Sequence, residues 1–356
     1  MPTLRLLADD LTGALDTAGE FVPMTGALPV FWANGNRLNL PVSAAVDSGT
    51  RECDPAVAMA RVGALVHVLE GADIAFKKID SLLRGPTIAE IVACMRAGIW
   101  RHCALAPAFP FQGRVTRGGR QYAGMNAVSD ELVAVLQSFG LAAQPGRADG
   151  VLQPGISAFD AETDLDLQRI VATVRHCAEP VLWVGTGGLA QALTEGHDHP
   201  AAPKLPRPVL GLFGSDQKVS ADQLAACEPH WLQIEDHEFD VVRLRLGDTG
   251  LALISFRLPN GVPRTLAASR IASGIARLVD RIDPPGAVVV AGGETLRSLC
   301  DALGTTSLEV QGRLMPGVPR SIMIGGRWNG VTVVSKSGAF GHSSLLRELI
   351  LERTAP

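Results

Sequence analysis

Aromatic side chains are scarce, at 5% of 356 residues. So few rings leave no stacking platform for single-stranded nucleic acid. Positive charge is not in excess either. A formal net charge of -4 and a pI near 6.1 argue against a broad nucleic-acid or membrane partner. Cys53, Cys94, Cys103, Cys177, Cys227 and Cys300 stand singly, with no C-x-x-C pair, which fits reduced thiols better than disulfides or structural zinc. The start of the chain lacks the series of a signal peptide, and no apolar run reaches the ~18 residues of a membrane span. Cytoplasm is therefore the expected location. There is no H-E-x-x-H set and no G-x-S-x-G elbow, so neither a metal centre nor a serine hydrolase is expected. His197 and His199 lie in a proline-rich stretch and are expected to be solvated. Any anionic ligand must be met by a local cluster of cations.

Short apolar runs alternate with longer amphipathic stretches throughout. Strands are expected at Leu4–Ala8, Leu28–Ala33, Ala44–Asp47, Asp73–Lys78, Cys103–Pro107 and Val181–Gly185. Helices are expected at Ala14–Met24, Asp54–Leu69, Pro86–Ala97, Asp130–Phe139 and Asp164–Arg175. Asp54-Pro55 reads as an N-cap acid followed by proline at the first helical position. Residues Gly196 to Pro208 hold four prolines and no periodicity, and read as a linker. Beyond it the alternation restarts, with strands at Val209–Gly214, Leu251–Phe256, Ala287–Ala291 and Val331–Ser335. Helices fall at Ala221–Cys227, Ala267–Arg281, Thr295–Leu303 and the C-terminus. The expected fold class is α/β with two domains, 1–205 and 206–356, each a mainly parallel sheet flanked by helices. Ligands of such sheets sit beyond the carboxyl ends of the strands.

Four loops at such positions in the first domain carry chemistry. Asp9 and Asp10 follow the first strand; there they can bind a cation, accept substrate hydroxyls or simply cap a helix. Arg51, after Asp47-Ser48-Gly49-Thr50, offers a planar fork for a carboxylate, although a surface arginine in a polar loop explains it as well. Lys77, Lys78, Asp80, Ser81 and Arg84 gather three cations, an acid and a hydroxyl between a strand and a helix, the best local candidate for holding an anionic substrate. Lys77 and Lys78 alternate across the strand, so one can face a ligand while the other meets solvent or a partner. The loop from Ala106 to Arg114 contains two prolines and ends in Gly113-Arg114; it reads equally as a rigid binding wall or a plain connection.

In the second domain, Gly214-Ser215 and Gly292-Gly293 follow strands, and Lys336 to Gly341 add a cation and further glycines. Glycines opening a helix present backbone N–H groups and a positive dipole end to phosphate. Two near matches fail in context. Gly330 to Ser337 approximates a phosphate loop, but its β-branched middle belongs in a strand. Gly185 to Ala190 fits a loose G-x-G-x-x-A pattern, yet no strand with a terminal acid follows; it reads as a tight strand-to-helix turn.

Taken together, these loops resemble the four-carbon acid sugar kinase family. The matching segments are ADDLTGA at Ala8–Ala14, Thr50–Arg51, KKIDS-LRG at Lys77–Gly85 and APAFP-GR at Ala106–Arg114. In the second half they are Gly214–Ser215, Gly292–Thr295, Pro316–Pro319 and KSGAFG at Lys336–Gly341. Leu82, Pro86, His342 and Ser343 depart from the usual pattern, and the stretch from Tyr122 to Val151 is shorter than is common. The resemblance implies an N-terminal substrate-binding domain and a C-terminal ATP-binding domain. It implies phosphorylation of threonate, erythronate or 3-oxo-tetronate at the terminal hydroxyl, with Mg²⁺ bridging phosphate oxygens. Carried over by position, Asp9, Asp10, Arg51, Lys78, Ile79, Asp80, Ser81 and Arg84 contact the sugar acid. Asp10, Asp80 and Lys78 are the catalytic candidates. Ser215, Gly292, Gly293, Glu294, Thr295, Lys336 and Gly338 contact ATP. The expected partners are a small sugar acid and ATP, not nucleic acid or membrane, with a homo-oligomer left open. A catalytically altered member that senses a sugar acid or nucleotide, and an NAD-dependent dehydrogenase built on Gly185–Ala190, are the competing readings.

Overall fold

Short runs rich in valine, leucine and alanine form strands buried on both faces, as parallel sheets covered by helices require. The computed structural model describes residues 1–32, 39–201, 203–214, 217–235, 238–259 and 261–352. The chain divides into two compact units, Met1–His199 and Pro200–Pro356.

The first unit begins β1 (Leu4–Ala8), α1 (Leu11–Thr25), β2 (Leu28–Trp32), β3 (Ala44–Asp47), α2 (Pro55–Leu65), β4 (Ile74–Lys78), α3 (Thr87–Arg96) and β5 (His102–Ala106). It continues β6 (Arg114–Arg117), β7 (Arg120–Ala123), β8 (Asn126–Ala127), α4 (Leu132–Ser138), β9 (Ala143–Pro145), β10 (Gly155–Ala158), α5 (Asp164–Val174), β11 (Val181–Gly185) and α6 (Gly187–Leu193). Among the described residues its main sheet has the order β2-β3-β1-β4-β11-β5-β10-β9, parallel throughout. Ala8 pairs with both Asp47 and Lys78, and Gly185 with both Lys78 and Ala106. Five strands thus end level, and the loops that follow them leave from one edge. One core cluster, including Leu7, Val46, Val62, Ile79, Ile91, Leu105 and Val184, seats α2 and α3 on the sheet.

The second unit runs β12 (Val209–Phe213), α7 (Lys218–Ala225), β13 (Trp231–Ile234), α8 (Phe239–Thr249), β14 (Leu251–Phe256), α9 (Arg264–Val279) and β15 (Ala287–Ala291). It closes with α10 (Gly293–Leu303), β16 (Ser307–Met315), β17 (Val318–Ile324), β18 (Thr332–Lys336) and α11 (Leu345–Arg347). Its strand order is β13-β14-β12-β15-β18-β17-β16. The first five strands are parallel, and β16 and β17 form an antiparallel hairpin beside β18. The α/β class and the two-domain arrangement stand as the sequence suggests.

Several details differ from the sequence expectation. Thr116 and Gln121 belong to a small antiparallel sheet, β6-β7-β8, turned by Gly118-Gly119 with both φ values positive, at 56° and 72°. Such a pair of left-handed residues suits a tight hairpin turn. The stretch Asp54–Leu69 is two segments: α2 ends at Leu65 and a 3-10 turn covers Val66–Leu69. Asp54 is the N-cap residue, but Pro55 sets the helix start and the Asp54 side chain makes no capping hydrogen bond. Ala33, at the end of one expected strand, lies outside the described residues. His199 is only partly solvated: its side chain is half-buried, its imidazole Nε2 lies 3.6 Å from buried Glu20 Oε2, and its Nδ1 is buried. Val331–Ser335 is strand in substance, as β18, and Gly185–Ala190 is a strand-to-helix turn capped by Thr186.

Candidate functional site

In the first unit the loops after β1, β3, β4 and β5 converge because those strands end level. From β1 the chain passes through α1 to β2 on one side, while β4 lies on the other. Loops that part in this way open a crevice at the strand ends. Asp10 caps α1, accepting from the Gly13 N–H at 3.0 Å, and also accepts from Thr12 Oγ1 at 2.6 Å. Asp9 is buried; its main-chain carbonyl accepts from the N–H groups of Thr50 and Arg51 at 3.0 and 3.1 Å, which locks the β3 loop onto the β1 loop.

Arg51 is the hub. Its Nε donates to Asp9 Oδ2, its Nη2 to Asp10 Oδ1 at 2.9 Å, and its Nη1 lies 3.2 Å from Asp80 Oδ1. All three guanidinium nitrogens are thus engaged, each with a different carboxylate. Burial alone would push the Asp9 carboxyl up, but Arg51, Lys78 and Lys77 together hold it below its ordinary value. Asp80 is likewise opposed by burial and held well below the carboxylate range by Arg84, Arg51 and Lys78. Arg84 grips Asp80 through Nε and Nη2, both at 2.8 Å, and the N–H groups of Leu82 and Arg84 add 3.2 and 3.1 Å bonds. Asp80 therefore organises the cations of the loop, with its oxygens already occupied.

The two lysines of β4 part company. Lys77 points to α3, where its Nζ lies 2.6 Å from Glu90 Oε2 in a fully buried pair. Glu90 also accepts from Thr50 Oγ1, tying α3 to the β3 loop. Lys78 points under the first turn of α1. Its one hydrogen bond is to the Ile79 carbonyl at 2.8 Å, and among the described residues no carboxylate lies within ion-pair distance. Ile79 contributes only that carbonyl, because its side chain is wholly in the core. Ser81 sits in the same turn, and its carbonyl accepts from Gln121 Nε2 at 2.9 Å. Leu83 adopts φ 54°, a strained value for a branched side chain, within this turn.

Arg114, at the end of the β5 loop, is a residue that the sequence signalled only as part of a motif. It feels the charges of Asp80 and Arg84, and burial draws its guanidinium below its ordinary value. No spacing rule marks it, because it reaches this cluster through the fold alone.

In the second unit, register sets Phe213, Ala291 and Lys336 side by side at the ends of β12, β15 and β18. From β12 the chain turns to β13 and β14 on one side, and β15 lies on the other, again opening a crevice. Gly292, with φ 104°, is the N-cap of α10 and donates its N–H to the Lys336 carbonyl at 3.0 Å. A Cβ on Gly214 would stand 2.4 Å from Thr295 Oγ1, so the β12 loop runs hard against the start of α10. Thr295 is buried, while Glu294 is exposed and within 3.3 Å of Arg264. Lys336 is buried and donates to the Ser337 carbonyl at 2.9 Å; among the described residues no carboxylate lies within ion-pair distance of it, and burial lowers it to about 8. Gly338 is held by Ser220 Oγ, which donates to its carbonyl at 2.8 Å. The structure thus brings Gly292, Gly293, Thr295, Lys336 and Gly338 together. Ser215 lies outside the described residues.

These residues fit a phosphate-bearing ligand: a helix N-terminus and a buried ammonium with no counter-ion among the described residues converge on one edge. Among the described residues there is no group of three or more His, Cys, Asp or Glu able to hold a metal ion, and no helix long and apolar enough to cross a membrane. All six cysteines are free.

Comparison with known proteins finds two family matches along the chain. Residues 4–144 match the family described as a sugar-binding N-terminal domain, and residues 224–346 a nucleotide-binding C-terminal domain. A D-threonate kinase of Cupriavidus necator is 30% identical over 96% of this chain and 95% of its own. A D-threonate kinase of Bordetella bronchiseptica is 28% identical over 97% and 96%. The solved structure of a Salmonella typhimurium protein shares the fold, with a TM-score of 0.80 over 99% of this chain and 100% of that one, at 20% identity.

Proposed function

The chain belongs to the four-carbon acid sugar kinase family, and on that premise we propose that it transfers the terminal phosphoryl group of ATP to the terminal hydroxyl of a four-carbon sugar acid, of the threonate, erythronate or 3-oxo-tetronate type. One observation carries the reading. Each unit buries a lysine ammonium at the carboxyl end of a central strand whose partners among the described residues are carbonyls, Lys78 in the first and Lys336 in the second. Desolvating a cation without a counter-charge is costly, so each site is prepared for an anion. A sugar acid and a nucleotide phosphate are two such anions, and the family's domains divide them in that order.

Phosphoryl transfer asks mainly for positioning and neutralisation of charge. In this reading Asp10, whose side chain is 26% exposed, orients the acceptor hydroxyl through Oδ2, the oxygen not bound to Arg51. Asp9 and Asp80 are committed to arginines and serve to hold Arg51 and Arg84 in place. Lys78 neutralises charge near the acceptor. On the nucleotide side the N–H groups of Gly293 and Glu294 and the Lys336 ammonium receive phosphate oxygens. A Mg²⁺ ion would be held chiefly by those phosphates, which suits an ion that keeps much of its water and needs only one or two carboxylates.

The test uses Asp10→Asn and Lys78→Met in an ADP-release assay across four-carbon acids. Each is expected to lose 100-fold or more in turnover, on the order typical of a displaced catalytic group. Nucleotide binding, followed by the shift in melting temperature with ATP and Mg²⁺, should persist in both. Near-normal turnover in both variants would remove the assignment. Ligand-dependent melting shifts with no ADP release from the unaltered chain would favour a sensor instead.

A further inference from the structure

We propose that Arg114 binds the substrate's carboxylate and so selects acids over neutral sugars at this site. The proposal rests on the acceptor site being in the first unit, as argued above, and goes further by assigning one end of the acceptor to one residue.

The cations of this cluster differ in the hydrogen-bonding capacity they have left. Arg51 has every nitrogen on a carboxylate, so it cannot take another without releasing one. Arg84 has its Nε and Nη2 on Asp80, and its side chain is 57% exposed. Lys78 is a compact point charge beneath α1. Arg114 differs from all of them. Its Nη1 donates to the Gln112 carbonyl and to Gln112 Oε1 at 3.2 Å, while its Nε is buried without a hydrogen-bond partner. Its Nη2 likewise makes no hydrogen bond or ion pair among the described residues. Nε and Nη2 form the edge of a guanidinium that grips a carboxylate through two parallel bonds. A buried donor left unmatched is uncommon and calls for a ligand or a water.

The base of this side chain is fixed. The Phe109 N–H donates to the Arg114 carbonyl at 2.8 Å, and the Arg114 N–H to the Phe109 carbonyl at 3.1 Å, closing the β5 loop on itself. From β7, Gln121 Nε2 donates to the Ser81 carbonyl at 2.9 Å and the Pro107 carbonyl at 3.2 Å, and its Oε1 accepts from Thr116 Oγ1 at 2.7 Å. The Arg114 loop, the small sheet and the Lys78–Arg84 loop are therefore one rigid assembly. A fork held this way loses little freedom when a planar anion arrives.

The test compares a four-carbon aldonate with its primary amide, which keeps size and hydroxyls but removes the charge. Arg114→Gln and Arg114→Lys are assayed for ADP release and, without nucleotide, for binding by calorimetry. In the unaltered chain the acid should bind and react better than the amide. Arg114→Gln should lose about 10- to 100-fold in kcat/KM for the acid, mainly through KM, as loss of a charged hydrogen-bonded pair implies. Its amide reaction should stay within about threefold, and Arg114→Lys should fall between. Equal losses on both substrates mean a structural role and overturn the proposal, as does an unchanged acid preference in Arg114→Gln. If no acceptor is phosphorylated yet carboxylate-dependent binding vanishes in Arg114→Gln, the kinase reading falls and the Arg114 assignment stands. If the unaltered chain binds acid no better than amide, the assignment falls whatever the activity.

Discussion

A methyl group on Gly13 would stand 2.9 Å from the Lys78 ammonium and 2.5 Å from Asp10 Oδ1. The first turn of α1 is thus shaped around the two side chains proposed to meet the acceptor. Both atoms are the far ends of side chains and can yield. Gly13→Ala is expected to change stability by no more than about 1 kcal/mol, yet to displace both groups and cut kcat/KM about 10- to 100-fold, as misplacement near 1 Å does. Gly85 makes the contrast: its added Cβ would meet the Arg51 carbonyl oxygen at 2.3 Å, and its φ is 73°. Main chain cannot swing away, so Gly85→Ala should lose activity and also about 1–3 kcal/mol of stability. Paired denaturant melts and steady-state kinetics separate the two; equal stability losses would refute the distinction.

The Lys77–Glu90 pair is a structural device with nothing to bind. Burial opposes the charge on Lys77, but Glu90, with Asp9 and Cys94 adding to it, leaves the ammonium above its ordinary value. Removing one partner strands the other charge. Glu90→Leu should cost about 3–5 kcal/mol, and the Lys77→Met/Glu90→Leu double variant should recover most of it. Urea midpoints across the double-mutant cycle are the measurement. A double variant as unstable as the single one would mean that the Glu90 bond to Thr50 matters more than the ion pair.

Lys336 gives a pH signature. Its folded value, about 8, lies below the ordinary 10.5, so the folded state disfavours the ammonium. The sign follows: the penalty is full below about 8 and is relieved as pH rises from there toward 10.5. Compared with Lys336→Met, the unliganded chain should therefore gain melting temperature through that window. Nucleotide binding should run the other way, since a neutral amine attracts phosphate less. KM for ATP should rise above pH 8 in the unaltered chain and be high and flat in Lys336→Met. A KM with no break near 8 would place the phosphates elsewhere.

Much of this layout was legible in the sequence because it depends on period and punctuation. Apolar runs ending in Asp47, Lys78 or Ala291 were visible as strands, and level strand ends turned separate loops into one site. What was not legible arises from contacts between distant positions. Arg51 and Asp9 lie 42 residues apart, and nothing local says that each Arg51 nitrogen will be spent on an acid. Ile79 sits inside a motif of ligand-facing residues, yet alternation along the chain turns its side chain to the core. The hairpins carry a weaker signal in the sequence: Gly118-Gly119 between polar-alternating runs, and Pro316-Gly317 between β16 and β17, both of which show every second residue buried. Such short turns stand out little beside the long alternation of strands and helices that marks parallel crossover units.

The level strand ends have one more consequence, and it concerns descent. Pairing along β1, β3, β4, β11 and β5 is made by backbone groups, and the interior behind it by apolar side chains, whereas the residues proposed to meet the acceptor hang from the rim. Inheritance of the scaffold and inheritance of substrate choice are thus separable. On the proposed site, a change of acid needs only a few rim positions to differ, around Leu82 or Pro86 for instance, while the pairing that makes the fold stays as it is.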